Sequence, residues 1–251
     1  MRKYIATRIL LLFVFLIPVN AQDALQDMDL PVAPPTKFPA GDPRNDALPP
    51  VEPPPPEEPA YFSGEPIPSE NRTIVYVVDI SGSMGAAFGF TWIGVDGNVT
   101  TGSRLDRAKS EMKKSINSLP EDYRFNIYKY HCTTARWSQD LRTATPQNKA
   151  SAFSYIDSMN AAGGTGTGEC MTLVLGDKSV KSVILLTDGA PGCFSPPVGM
   201  TMTEYHRHMI RVSNTQEAKV NVFGIRVYSS TRTFCQDVSR ENGGFYREIS
   251  D

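Results

Sequence analysis

IVYVVDISGSMG, residues 74–85, is the stretch from which the rest of the chain takes its meaning. Five apolar residues, Ile74 to Val78, run without alternation into Asp79. A run of branched residues with no polar alternation suits a strand covered on both faces, as in the middle of a parallel sheet. A buried helix gives a similar run, but Gly82 and Gly85 favour a strand that leaves into a loop. The strand delivers Asp79, Ser81 and Ser83 to a turn at its carboxyl end, the edge where open α/β sheets hold their ligands. Alone, an Asp-x-Ser-x-Ser turn says little, since Asp, Ser and Gly are ordinary turn residues.

Fourteen of the twenty prolines lie between Gln22 and Glu70, together with ten acidic residues and only Lys37 and Arg44 as bases. Such a segment buries too little apolar surface to offset its ordering entropy, so 22–70 reads as a disordered, partly polyproline acidic linker. Residues 71–251 read as one globular domain, with twenty basic and seventeen acidic residues and no concentrated basic stripe. Nucleic acid is thereby excluded as a partner class.

Residues 1–21 read as a secretory signal: Arg2, Lys3 and Arg8 precede the apolar run Ile9–Ile17, and Val19-Asn20-Ala21 offers a cleavage site. The alternative, an uncleaved anchor, meets the objection that this run is far short of the roughly 20 residues a span needs. The expectation is an exported chain, periplasmic, cell-surface or extracellular, with no membrane span after cleavage. Cys132, Cys170, Cys193 and Cys235 then suggest disulfides, with three possible pairings. No two are spaced as a C-x-x-C zinc pair.

Along the domain, Asp96-Gly97-Asn98 between Trp92, Ile93, Val95 and Val99 predicts a small hairpin, a partner-recognition loop or a mere decoration. Leu105, Ala108, Met112, Ile116 and Leu119 share one helical face, and Pro120 ends that helix. A strand is expected at 123–130 and a helix at 146–159. The glycine-rich turn AAGGTGTGE, 161–169, lacks the lysine of a phosphate loop. KSVILLTDG, 181–189, is a second buried strand ending in an aspartate, Asp188. A helix at 203–219, a strand at 220–228, a short helix at 234–240 and a strand at 244–249 complete an alternation that predicts βαβ units and a mostly parallel sheet. His206 and His208, two apart, do not share a helical face and are expected to be solvated. Asn71-Arg-Thr and Asn98-Val-Thr match glycosylation acceptors.

D-x-S-x-S at Asp79, G-G-T ending at Thr165 and L-L-T-D-G around Asp188, in that order, resemble the von Willebrand factor A domain, or integrin I-like domain. The resemblance runs from about Thr73 to the end of the sequence. It implies a doubly wound, mostly parallel sheet flanked by helices. It also implies a metal-ion-dependent adhesion site built from Asp79, Ser81, Ser83, Thr165 and Asp188. Two carboxylates and three hydroxyls suit Mg2+ or Mn2+, which take oxygen ligands and keep open positions. The implied function is a secreted binding module whose cation bridges to an Asp or Glu carboxylate on a protein partner, in adhesion or assembly. One alternative is a Mg-dependent hydrolase or phosphoryl-transfer enzyme, which lacks an obvious nucleophile or base. The other is a structural envelope protein whose metal only stiffens loops. The family's strand order, which makes the strands ending at Asp188 and Tyr228 neighbours, implies Cys132 with Cys170 and Cys193 with Cys235. The sequence read here ends at Asp251 without the helix that carries the integrin-type switch, so no such switch is expected.

Overall fold

The computed structural model describes residues 58–249, and the expected secretory signal at 1–21 and most of the expected acidic linker at 22–70 lie outside the described residues. The chain forms β1 (Ala60–Phe62), β2 (Glu65–Ile67), β3 (Thr73–Asp79), a 3-10 turn (Gly82–Gly85), β4 (Ala87–Ile93), β5 (Val99–Ser103) and α1 (Arg104–Ser118). There follow β6 (Arg124–Tyr130), β7 (Thr134–Arg136), β8 (Arg142–Thr143), α2 (Pro146–Asp157), α3 (Thr167–Gly176) and β9 (Ser182–Thr187). The remainder is α4 (Met202–Ser213), β10 (Lys219–Ile225), α5 (Ser229–Glu241) and β11 (Tyr246–Ile249).

The main sheet runs β11-β10-β9-β3-β6-β7, with β8 also on β6. Pairs from β11 through β6 are parallel, and β7 and β8 join antiparallel. Every residue of β3 is buried, as its unbroken apolar run requires. Alternate side chains enter two cores. Ile74, Tyr76 and Val78 meet Leu105, Met112 and Ile116 of α1 and Ile156 of α2. Val75 and Val77 meet Met171 and Val174 of α3, Ile210 of α4 and Phe234 of α5. Helices therefore cover both faces: a doubly wound α/β fold.

Local chemistry sets the helix ends. Ser103 and Asp106 form a capping box at α1, and Thr201 and Glu204 form another at α4. Pro146 takes the first position of α2, where its missing N–H costs nothing. The helix expected to reach Lys219 ends at Ser213. Beyond it, the Asn214 side chain pairs with both the N–H and the C=O of Ala218, each at 2.8 Å, and closes a turn.

The linker reading of 22–70 runs too far. The β1–β2 hairpin folds with the domain: Phe62 and Ile67 are fully buried, with the Phe62 ring 4.5 Å from that of Phe223. Dense proline hid two short strands. The expected hairpin at Asp96 is present as β4–β5, a separate two-stranded sheet that lays Trp92 against Arg107 of α1. Among the described residues no helix is long and apolar enough to cross a membrane.

Candidate functional site

Asp79 is the last residue of β3, fully buried between the two neighbouring strands. Its Oδ1 accepts from the Ser81 N–H at 2.8 Å and its Oδ2 from the Thr187 hydroxyl at 2.8 Å, so both hydrogen-bond partners are neutral. Burial, reinforced by Asp188, pushes the carboxyl up to about 7 against the pull of those hydrogen bonds. The next turn brings Ser81 Oγ to 3.2 Å from Ser83 Oγ, and Ser83 donates to Asp188 Oδ1 at 3.0 Å. Asp188, just past β9, is also raised by burial, opposed by the Ser83 hydroxyl and by the Arg104 guanidinium. Four of the five expected residues thus form one hydrogen-bonded group at the carboxyl edge of the sheet.

Thr165 lies in the adjoining glycine-rich loop, half-buried. That loop docks on the first turn where Gly82 N–H donates to the Gly163 carbonyl at 2.9 Å. The Thr165 carbonyl accepts from the Gly192 and Cys193 N–H groups at 2.9 and 3.1 Å. Among the described residues its hydroxyl makes no hydrogen bond to the other four. The donor set contains oxygen alone, the kind that hard cations take. No three His, Cys, Asp or Glu side chains among the described residues gather into a metal-holding group.

The disulfide beneath this loop corrects the expected pairing. Cys132, after β6, joins Cys193, after β9, with Cα atoms 5.5 Å apart. Cys170 sits inside α3 and Cys235 inside α5, both buried as free thiols that burial pushes up to about 12. The expectation failed because Cys235 points from a helix into the core rather than from a loop. The loops after β6 and β9, on either side of β3, meet above its end. A Cβ on Gly164 would come 2.9 Å from both sulfurs, so only glycine lets the Thr165 turn cross the bridge.

His206 is a second correction: it is fully buried, not solvated. Its Nδ1 accepts from the Gly168 N–H at 2.8 Å, which leaves Nε2 to donate to the Cys193 carbonyl at 3.0 Å. It therefore ties α4 to both α3 and the disulfide loop. Sequence reasoning also missed Thr187 and Arg104. A threonine before the aspartate was visible in the L-L-T-D-G motif, but nothing in the spacing marked Arg104.

A groove of about 620 Å³ lies elsewhere, between the β4–β5 hairpin and the α1 and α2 helices. None of the five site residues lines it.

Residues 96–247, more than half of the chain, match the model of the von Willebrand factor type A domain. The chain belongs to that family. The matched range contains Thr165 and Asp188 and begins beyond Asp79, Ser81 and Ser83. Among curated relatives, mouse inter alpha-trypsin inhibitor heavy chain 4 is 24% identical over 201 residues, 75% of this chain and 19% of its own length. The chain thus spans about a fifth of such a relative. Among solved structures, the von Willebrand factor type A protein from Catenulispora acidiphila aligns with TM-score 0.55 and 19% identity. That alignment covers 71% of this chain and 38% of that one. The pilus adhesin SpaC from Lactobacillus rhamnosus GG aligns with TM-score 0.53 and 15% identity, over 71% and 28%. These likenesses concern the fold.

Proposed function

We propose that this von Willebrand factor type A domain is an exported, non-enzymatic binding module. It holds one Mg2+ or Mn2+ on Asp79, Ser81, Ser83, Thr165 and Asp188 and presents it to a carboxylate of a protein partner. The observation that carries this reading is Asp79, a buried carboxylate whose hydrogen-bond partners are all neutral. A buried charge needs compensation, and the oxygen atoms converging beside it suit a hard cation. When bound, that cation supplies charge compensation and an open coordination position for an outside anion. The chain's own part is to orient the donors. Ser81 N–H and Thr187 fix the Asp79 carboxylate, Ser83 fixes Asp188, and the disulfide with the Gly192 and Cys193 N–H groups fixes the Thr165 turn.

A hydrolase needs a free base near these oxygens. His206 is consumed by Gly168 and Cys193, and the His131 ring accepts from the Thr133 N–H at 3.2 Å. A disulfide fits an exported chain, and an adhesion or assembly role fits the family, of which the pilus adhesin SpaC shares the fold.

Calorimetric titration of Mg2+ tests the reading. The native domain should bind one ion, and Asp79→Ala should weaken that affinity by about tenfold or more, since one direct carboxylate is lost. Equal affinity in the two proteins overturns it.

A further inference from the structure

Arg104 occupies a costly position. It is the first residue of α1, where the helix dipole disfavours a cation, and it is only 2% exposed. A buried guanidinium persists only when its charge is compensated. Here Nη1 lies 3.1 Å from Asp188 Oδ2 and donates to the Ser83 carbonyl at 3.1 Å. Nη2 donates to the Arg226 carbonyl at 3.1 Å, and the Tyr228 ring centroid lies 5.3 Å from the guanidinium carbon. Arg226 itself adopts a left-handed backbone, φ 47°, at the end of β10. One side chain therefore pins four segments of the sheet edge: the serine turn, the Asp188 loop, the α1 start and the loop before α5.

We propose that Arg104 is a built-in counter-cation of this site, a positioning residue that holds Asp188 when no metal is bound and stays on it when metal is bound. This rests on the metal-holding reading above. Without metal, two neighbouring carboxylates would repel, and Arg104 cancels one of them. With a divalent cation present, the two carboxylates, the guanidinium and the ion leave one net positive charge. A neutral residue at position 104 would leave none. Arg104 thus makes the loaded site selective for an anionic partner group over a neutral one, at the expense of some metal affinity, because it repels the incoming ion.

The test compares melting temperature in chelator and in saturating Mg2+, with calorimetry of the ion. Arg104→Gln should lose stability in chelator, because Asp188 is left uncompensated, and recover most of that loss on Mg2+ addition. Its Mg2+ affinity should rise by about tenfold, as expected for removing a like charge a few ångströms away. Arg104→Lys, which keeps the charge, should bind Mg2+ as the native domain does. An equal stability loss with and without Mg2+, together with unchanged or weaker affinity, overturns the proposal and makes Arg104 a packing residue only. Should Arg104→Gln fail to fold even with Mg2+, the double variant Arg104→Gln, Asp188→Asn decides in chelator. Restored folding supports the counter-cation, and continued failure overturns it. If the native domain binds no Mg2+, the metal reading fails by itself, and the chelator comparison still decides whether Arg104 serves Asp188.

Discussion

In the metal-free domain Asp79 titrates near neutrality, because burial raises its pKa from 3.8 to about 7. The sign of the stability effect follows. A carboxyl whose pKa is higher in the folded state than in the unfolded state binds its proton better when folded. Its contribution to stability is fully present below about pH 4 and is lost as pH rises through 7. A shift of this size corresponds to something of order 4 kcal/mol. Denaturant melts in chelator at pH 5 and pH 8 should therefore show the lower stability at pH 8. Asp79→Asn should lack most of that dependence, and Mg2+ should remove it from the native domain. A flat native profile in chelator would mean that Asp79 already has a counter-charge. At this scale the sequence was legible where a residue's type and spacing follow a turn, as with Asp79, Ser81, Ser83 and Asp188. It was silent where the chemistry depends on three-dimensional approach. Arg104 and His206 stand in ordinary amphipathic helices, and only packing shows that each bonds to other loops.

Elements were legible in proportion to their periodicity. The α1 stripe from Leu105 to Ile116 is buried as its spacing predicts, and the buried runs of β3 and β9 lie adjacent in the sheet. Short strands carried no such signal. Only six paired residues, Ala60–Phe62 and Glu65–Ile67, make up β1 and β2, and their proline and acidic surroundings pointed the other way. The β4–β5 hairpin was legible from its Asp-Gly-Asn turn, while its role was not. Trp92, 5% exposed, covers α1, whereas Ile93, Val95 and Val99 of the same hairpin are exposed. Trp92→Ala should cost about 3 kcal/mol, the usual order for truncating a large buried ring. It should leave Mg2+ affinity unchanged, since the hairpin serves α1 rather than the oxygen cluster. A denaturant melt and an ion titration on the same variant check both halves, and a large fall in affinity would tie the hairpin to the site.

For the whole molecule, the disulfide and the two cores set the order of stability. Cys132 and Cys193 enclose a separation of 61 residues, for which the chain-entropy argument gives about 4 kcal/mol. Thiol titration without reductant should find Cys170 and Cys235 only after denaturation, and peptide mapping should recover the Cys132–Cys193 pair. Reduction should lower the melting temperature and weaken Mg2+ binding together, because the bridge supports the Thr165 turn. Intact affinity after reduction would separate the two.

The β1–β2 hairpin carries a consequence for processing. Its Phe62 and Ile67 plug the same core as Tyr76 and Phe223, and Ser115 of α1 donates to the Tyr61 carbonyl at 2.6 Å. A protease working inward from the N-terminus should therefore stall near Ala60, and N-terminal sequencing of the resistant fragment should start between Glu58 and Tyr61. A fragment that begins at Asn71 and stays soluble would show the hairpin to be dispensable. Otherwise, a cut near residue 68 removes both strands, leaves the core open where Phe62 and Ile67 sat, and should yield an aggregation-prone remnant.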